Sequence, residues 1–316
     1  MNSTRLLQPG TLGPAIEKQT SHALHCGALQ PIASDERTID DAGVRFIVRQ
    51  VSSLARKNAA KTAPAARTVA SVPVNPFLPH DPNLFVADIS ETHFALLNKF
   101  NVIDHHLLIV TRSFIPQDTP LDAADFAAWL ACLAEFDGLG FYNSCTEAGA
   151  SQPHKHLQIV PLPLGAAGLR LPIEPLVAAA QWRGAIGTLP GLPFRHAFAA
   201  LDPAAGDSPE AAHAAADHYR ALLEAVTGPR PNSASDAHGE TPRPAPSRPA
   251  PYNLLITSHW MLLVPRSAQS VESVEVNALG FAGSLFVRDA SQMQVVERLG
   301  PMNVLRRVAM PADETR

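Results

Sequence analysis

The stretch Ser151-Gln-Pro-His154-Lys-His156-Leu-Gln158-Ile-Val-Pro161 constrains this chain more than any other. In an extended strand successive side chains point to opposite faces. His154, His156 and Gln158 therefore share one face, and Lys155, Leu157 and Ile159 take the other. Leu157 and Ile159 suit a core. Polar groups in line over a buried strand are costly unless they meet a ligand or one another. The polar face is the place to look for chemistry.

At 316 residues the chain can bury a sizeable core, as one large domain or two smaller ones. With 46% hydrophobic and 17% charged residues the balance is globular rather than disordered. No apolar run approaches the roughly 20 residues of a spanning helix. The segment from Met1 to Gly10 lacks an apolar core, so no signal peptide is expected. Cys26, Cys132 and Cys145 show no C-x-x-C spacing, which fits a reducing cytoplasm. A net charge of −4 argues against an extended nucleic-acid surface. A small anionic ligand needs only a few local cations and backbone N–H groups.

Residues 1–43 read as polar and irregular, and 44–51 as a strand followed by the basic Arg56-Lys57. Residues 58–71 read as a loop, and the three prolines of 75–82 exclude regular structure there. The apolar run 106–110 predicts a buried strand. Phe126, Trp129, Leu130 and Leu133 follow helical spacing within 121–137, with Asp122 as N-cap and Gly138 just past the end. Segments 141–143 and 154–162 read as strands. Ser208, Pro209 and Glu210 open a helix running to about Val226. Seven prolines mark 228–251 as a linker. This divides the chain into a catalytic half at 44–170, the start of a second half at 171–227, and a C-terminal part at 252–312. An internal echo links 104–113 with 258–267, and Phe141-Tyr-Asn143 with Pro251-Tyr-Asn253. Two buried strands of similar composition, or two related halves, would each produce it.

Neutral imidazole, with a reference pKa of about 6.5, is an available nucleophile at neutral pH. Attack on phosphorus splits one difficult displacement into two easier ones. His156, the middle member, is best placed, with its neighbours positioning the phosphate and the leaving oxygen. Gln158 cannot titrate in the working range; it can only orient and hydrogen-bond. That tilts the site toward transfer to a phosphate acceptor and away from hydrolysis. The small, polar residues 146–153 suit a loop that exposes N–H groups to phosphate oxygens. Two other readings stand beside this one: His154 and His156 as a metal-ligand pair, or as inert core histidines.

Further residues then carry a resemblance. Asn98-Lys-Phe-Asn101, Phe141-Tyr-Asn-Ser144, Gly149-Ala-Ser-Gln-Pro-His-Lys-His-Leu-Gln158, Tyr252-Asn253, Trp260-Met261 through Val264-Pro-Arg-Ser267, and Leu279-Gly-Phe-Ala-Gly283 appear in that order. Together they resemble the ATP adenylyltransferases, or diadenosine tetraphosphate phosphorylases, of the histidine-triad superfamily. The matches extend from about residue 44 to 290.

The resemblance implies an α+β fold: a histidine-triad-like antiparallel sheet with flanking helices, whose two related halves form one nucleotide site. It implies reversible phosphorolysis of diadenosine tetraphosphate to ADP and ATP through an adenylylated His156, with His154 and Gln158 on the phosphates. Asn143 and the loop Gly149, Ala150, Ser151 and Gln152 would hold the transferred phosphate, Leu97 and Asn98 the adenosine, and Lys57 the polyphosphate. Asn253, Thr257, Met261 and Arg266 would form a second substrate stretch, where Ser258-His259 replaces a commonly charged pair. Arg112 reads as a solvated strand-end charge, His105 and His106 as a strand edge, and Cys145 as a small buried residue. The expected partners are nucleotides and phosphate alone, with no nucleic acid or membrane, for a monomer or weak homodimer. No covalent cofactor is expected, though Mg or Mn could accompany the polyphosphate. The rival enzyme is a hexose-1-phosphate uridylyltransferase-type protein; the non-catalytic rival is a dinucleotide-binding module.

Overall fold

The computed structural model describes residues 5–51, 75–166, 169–227 and 249–312. In chain order, helix α1 (Leu12–His25) precedes a hairpin of β1 (Ser34–Asp41) and β2 (Val44–Val51). A meander of β3 (Phe85–Asp88), β4 (His93–Leu97) and β5 (Leu107–Thr111) leads through α2 (Ala123–Leu133) to β6 (Gly138–Asn143) and β7 (His156–Pro161). After the short α3 (Glu174–Ala178) the pattern repeats. Strands β8 (Gln181–Arg183), β9 (Ile186–Thr188) and β10 (Ala197–Ala200) lead through α4 (Pro209–Thr227) to β11 (Tyr252–Ile256) and β12 (Trp260–Pro265). The chain closes with β13 (Ser270–Val271), β14 (Val274–Glu275), α5 (Ala278–Phe281), β15 (Ser284–Val287), α6 (Ala290–Leu299) and α7 (Pro301–Val308).

Strands β3 to β12 form one ten-stranded sheet in the order β3-β4-β5-β7-β6-β11-β12-β10-β9-β8. The second five strands mirror the first, and the halves meet where Asn143 of β6 pairs antiparallel with Asn253 of β11. The Tyr-Asn echo in the sequence is this junction. The other echo does not survive: β12 takes the place that β7 holds, and the counterpart of β5 is β10. Similar apolar composition at 104–113 and 258–267 marks two central strands, not equivalent ones.

Directly paired residues share a face, so the register sorts the core. Leu157, Ile159, Ile109, Leu254 and Met261 pack with Phe126, Trp129 and Tyr219 beneath helices α1, α2 and α4. On the opposite face Phe141, Val160, Leu262 and Phe198 are covered by Ile47, Phe281 and Leu305. Further along that face Phe77, Phe94, Leu96, Leu108 and Val110 make a small separate cluster. The polar strip of β7 runs between the two.

Lys155 lies on the packed face, buried, with its Nζ 2.7 Å from Asp125 Oδ2 and 3.0 Å from the Pro120 carbonyl. Asp125 Oδ1 lies 3.1 Å from His93 Nε2. Burial pushes the Asp125 carboxyl up, but the His93 bond and the Lys155 charge together hold it below its usual value. Asp125 also closes a capping box with Asp122 at the start of α2. The strand that carries the histidines is thus pinned from below to a helix terminus.

Two expectations need correction. Residues 1–43 are not irregular: they hold α1, which buries Leu12, Ile16 and Ala23, and the edge strand β1. Its Ala42-Gly43 turn has φ of 49° and 78°, the two left-handed positions of a two-residue hairpin. Helix α2 ends at Leu133, and Gly138 opens β6 instead of closing the helix. Strand β15 pairs parallel with β2 in a separate three-stranded sheet. The loop at 58–71 and residues 228–248 of the Pro-rich linker lie outside the described residues.

Gly140 marks where α2 seats on the sheet. A Cβ there would stand 2.4 Å from Trp129 Nε1 and 2.6 Å from Ile256 Cγ2. Gly140→Ala is expected to cost about 1–3 kcal/mol by overpacking, seen as a lower urea midpoint at unchanged slope. An unchanged midpoint would contradict this packing.

Candidate active site

Strand β7 begins at His156, and its first side chain is held by its own backbone. His156 Nδ1 lies 2.8 Å from the His154 carbonyl. A carbonyl can only accept, so Nδ1 carries the hydrogen and Nε2 of the neutral ring keeps its lone pair. That Nε2 has no partner among the described residues. Burial lowers the His156 pKa to about 4, with the carbonyl bond opposing and the nearby His154 reinforcing. The ring is neutral at pH 7.

His154 is occupied differently. Asn75 Oδ1 accepts from Phe77 N, which turns the Asn75 amide nitrogen toward His154 Nδ1 at 2.9 Å. His154 Nε2 then donates to the Thr111 carbonyl at 2.9 Å. Both ring nitrogens are spent, and burial lowers the pKa of the ring. A metal pair would need a free lone pair on each histidine, and His154 offers none. Phe77 lies against both rings, 5.6 Å from His154 and 5.4 Å from His156 between centroids.

Gln158 is set by a relay that the sequence reading missed. Asn98 Nδ2 lies 3.0 Å from His106 Nδ1, and His106 Nε2 lies 2.9 Å from Gln158 Oε1. With Asn98 donating, His106 must be the Nε2–H tautomer, so the Gln158 nitrogen is left facing outward with two hydrogens. Burial lowers the His106 pKa to about 4, the Gln158 bond opposing. His106 is therefore a buried member of the site, not a strand edge. It shares a face with Leu108 and Val110 by the alternation of β5, and that period would have found it.

Asn143 presents its nitrogen for a similar reason. Its Oδ1 accepts from Asn253 Nδ2 at 2.8 Å and from Ala278 N at 2.9 Å. Asn253 also donates to the Ala148 carbonyl at 2.8 Å and accepts from Arg266 Nη1 at 2.6 Å. Arg266 spends its remaining N–H groups on the carbonyls of Ala148, Val276, Val308, Ala268 and Gln269. Burial lowers its pKa to about 10, so it stays a cation. Arg266 and Asn253 thus stand behind Asn143, holding it, and do not face a ligand themselves.

In the loop after β6, Gly149 has φ of 97°, and a Cβ there would lie 2.9 Å from Asn277 Cβ. The N–H groups of Gly149 and Ala150 are consumed within the loop, by the carbonyls of Thr146 and Cys145. Those of Ser151 and Gln152 have no partner among the described residues, so half of the expected loop can receive an anion. Gln117, also missed, is buried between β6 and β7 and accepts from His156 N at 2.9 Å.

The structure places the side chains of Leu97, Met261 and Thr257 away from His156. Leu97 points its side chain into the core beneath α1 and α2; its neighbour Asn98 is the one that reaches the site. Met261 lies on that same packed face and cannot meet a ligand at His156. Thr257 sits four residues beyond Asn253, roughly 13 Å at about 3.3 Å per residue. Its hydroxyl caps the β11–β12 turn, accepting from His259 N and Trp260 N. Arg112 is bound at the sheet edge by Asp88 and the Ser90 carbonyl. Lys57 lies outside the described residues.

A model of the Ap4A phosphorylase N-terminal domain matches residues 2–179, more than half of the chain. The chain belongs to the Ap4A phosphorylase family. Residues 190–311 match the ATP adenylyltransferase C-terminal domain. Diadenosine 5',5'''-P1,P4-tetraphosphate phosphorylase 2 of Saccharomyces cerevisiae is 28% identical over 223 residues, 63% of this chain and 63% of that protein. Protein APA1 of the same yeast is 27% identical over 222 residues, again 63% of each. The chain thus spans less than two thirds of the length of these relatives. The crystal structure of yeast Ap4A phosphorylase Apa2 in complex with Ap4A has the same fold, with a TM-score of 0.73 at 21% identity over 97% of this chain and 99% of that one.

The buried histidines make stability depend on pH. His106 and His156 titrate near 4 in the folded chain and near 6.5 unfolded. Below pH 6.5 only the unfolded chain takes up these protons, so stability falls as pH drops from 6.5 toward 4, by about 1.4 kcal/mol per pH unit for each histidine. His106→Gln should remove one such contribution from a plot of urea-unfolding free energy against pH. An unchanged slope would contradict the assignment.

Proposed function

We propose that this chain catalyses the reversible phosphorolysis of diadenosine 5',5'''-P1,P4-tetraphosphate, giving ADP and ATP through an adenylylated His156. One observation carries the reading: an unprotonated, unpartnered Nε2 on His156 with the amide nitrogens of Asn143 and Gln158 turned out on the same face. Family membership supports it.

Nε2 attacks the α-phosphorus of an adenylyl group. A bond from Nε2 to phosphorus forms, the bond to the bridging oxygen breaks, and ATP leaves with that electron pair. The ring gains positive charge as it does so, and the Nδ1–H bond to the His154 carbonyl strengthens with that charge. A phosphate oxygen then attacks the same phosphorus, the N–P bond breaks, and ADP departs. No proton has to move in either step. Gln158, which presents N–H groups and cannot titrate, fits a polyphosphate leaving group that is already a weak base.

Asn143 would hold the equatorial oxygens, with the N–H groups of Ser151 and Gln152 beside them. Lys57 would meet the polyphosphate, whose own Mg or Mn would enter with it as substrate. The apolar cluster of Phe77, Phe94, Leu96 and Leu108 would take the adenine.

The full chain incubated with the dinucleotide and phosphate should release ATP and ADP in equal amounts. His156→Ala should lose activity at least about 10³-fold, as removal of a nucleophile does. Retained phosphorolysis in that variant would overturn the proposal. Gln158→His, which adds a titratable group, should raise the ratio of AMP released by water to ADP released by phosphate. An unchanged ratio would show that the third position does not choose the acceptor.

A further inference from the structure

The ladder between β6 and β7 stops one step short of the site. Phe141 pairs with Gln158, and continuing the register would bring Asn143 opposite His156. In a closed pair those two residues would exchange N–H···O bonds, with their Cα atoms about 5.5 Å apart. They do not close. The side-chain amide of Gln117 stands between them: its Oε1 accepts from His156 N at 2.9 Å, and its Nε2 donates to the Asn143 carbonyl at 2.8 Å. The same nitrogen lies 3.3 Å from the His156 carbonyl.

A primary amide has the donor and acceptor that a backbone rung has, so that of Gln117 takes up His156 N and the Asn143 carbonyl where the two strands do not pair. Gln117 itself cannot drift. Its backbone N donates to the Pro153 carbonyl at 2.8 Å, its carbonyl accepts from the buried Tyr142 hydroxyl, and Lys155 N donates to the Ile115 carbonyl beside it at 2.7 Å. Gln117 is buried, and its hydrogen bonds to His156 are to the backbone.

We infer that Gln117 is a positioning residue that sizes the phosphoryl site, holding His156 and Asn143 apart by one amide so that a phosphorus centre fits between Nε2 and the Asn143 nitrogen. This rests on the phosphorolysis reading, and the two fail separately. If the wild-type chain does not turn over the dinucleotide, the reaction is wrong. If it does, the variants below test Gln117 alone.

Gln117→Leu removes the rung, and Gln117→Glu keeps its shape. In the Gln117→Glu variant a protonated carboxyl still accepts from His156 N and donates O–H to the Asn143 carbonyl. The ionised carboxylate instead faces two carbonyls with no hydrogen to give. With diadenosine tetraphosphate and inorganic phosphate, Gln117→Leu should lose about 10²-fold or more in kcat with KM within about threefold. Gln117→Glu should be similarly poor at pH 8 and recover about tenfold per pH unit as acid protonates it, while wild-type kcat stays flat by comparison. Circular dichroism and melting follow each variant, and if Gln117→Leu does not fold, the pH profile of Gln117→Glu decides. A kcat within threefold of wild type for Gln117→Leu, a loss confined to KM, or a Gln117→Glu profile parallel to wild type would each overturn the inference.

Discussion

The bond from His156 Nδ1 to the His154 carbonyl, two residues back in the chain, decides what the site can do. It assigns the tautomer without any acid or base and leaves Nε2 as the open lone pair. It also places a carbonyl where positive charge would develop. Burial then keeps the ring unprotonated far below neutral pH. The open nitrogen and the carbonyl come from three consecutive residues, His154 to His156. On the proposed reaction, everything else in the site has to orient a phosphate toward that nitrogen.

Orientation is done by uncharged amides. Asn75 turns His154, Asn98 turns His106, His106 turns Gln158, and Asn253 turns Asn143. Each amide has its oxygen or nitrogen claimed by a buried partner, so the end left over is determined. Among the described residues the charged groups stay one layer back: Arg266 holds Asn253, and Lys155 is tied to Asp125 on the opposite face. Amides suit a dry site for a polyanion because fixed dipoles stabilise charge without carrying a counter-charge that must be desolvated.

Much of this was legible in the residues. The alternation at 154–159 placed the polar and packed faces correctly, including the burial of Leu157 and Ile159. Asp122 capped its helix and Ser208 opened the next near the expected residue, and the register puts Asn143 and Gln158 on the His156 face. What failed has a common cause. Met261, Thr257 and Arg266 came from the resemblance as one substrate stretch, and only the register of β11 and β12 says which face and which end of the sheet each occupies. His106 was misread because a histidine next to His105 looks like a polar edge until β5 is known to lie beside β7. Gln117 lies outside any strand and acts through a rung that exists only once β6 and β7 are in place.

The tautomer and ionisation of His156 are what the account rests on, and nitrogen NMR of the histidine-labelled chain, with His156→Ala used to assign the signal, reads both directly. The expected result is a neutral ring with hydrogen on Nδ1 and a bare Nε2, unchanged from pH 8 down to pH 5. A ring carrying its hydrogen on Nε2, or one that takes up a proton near pH 6.5, would contradict it.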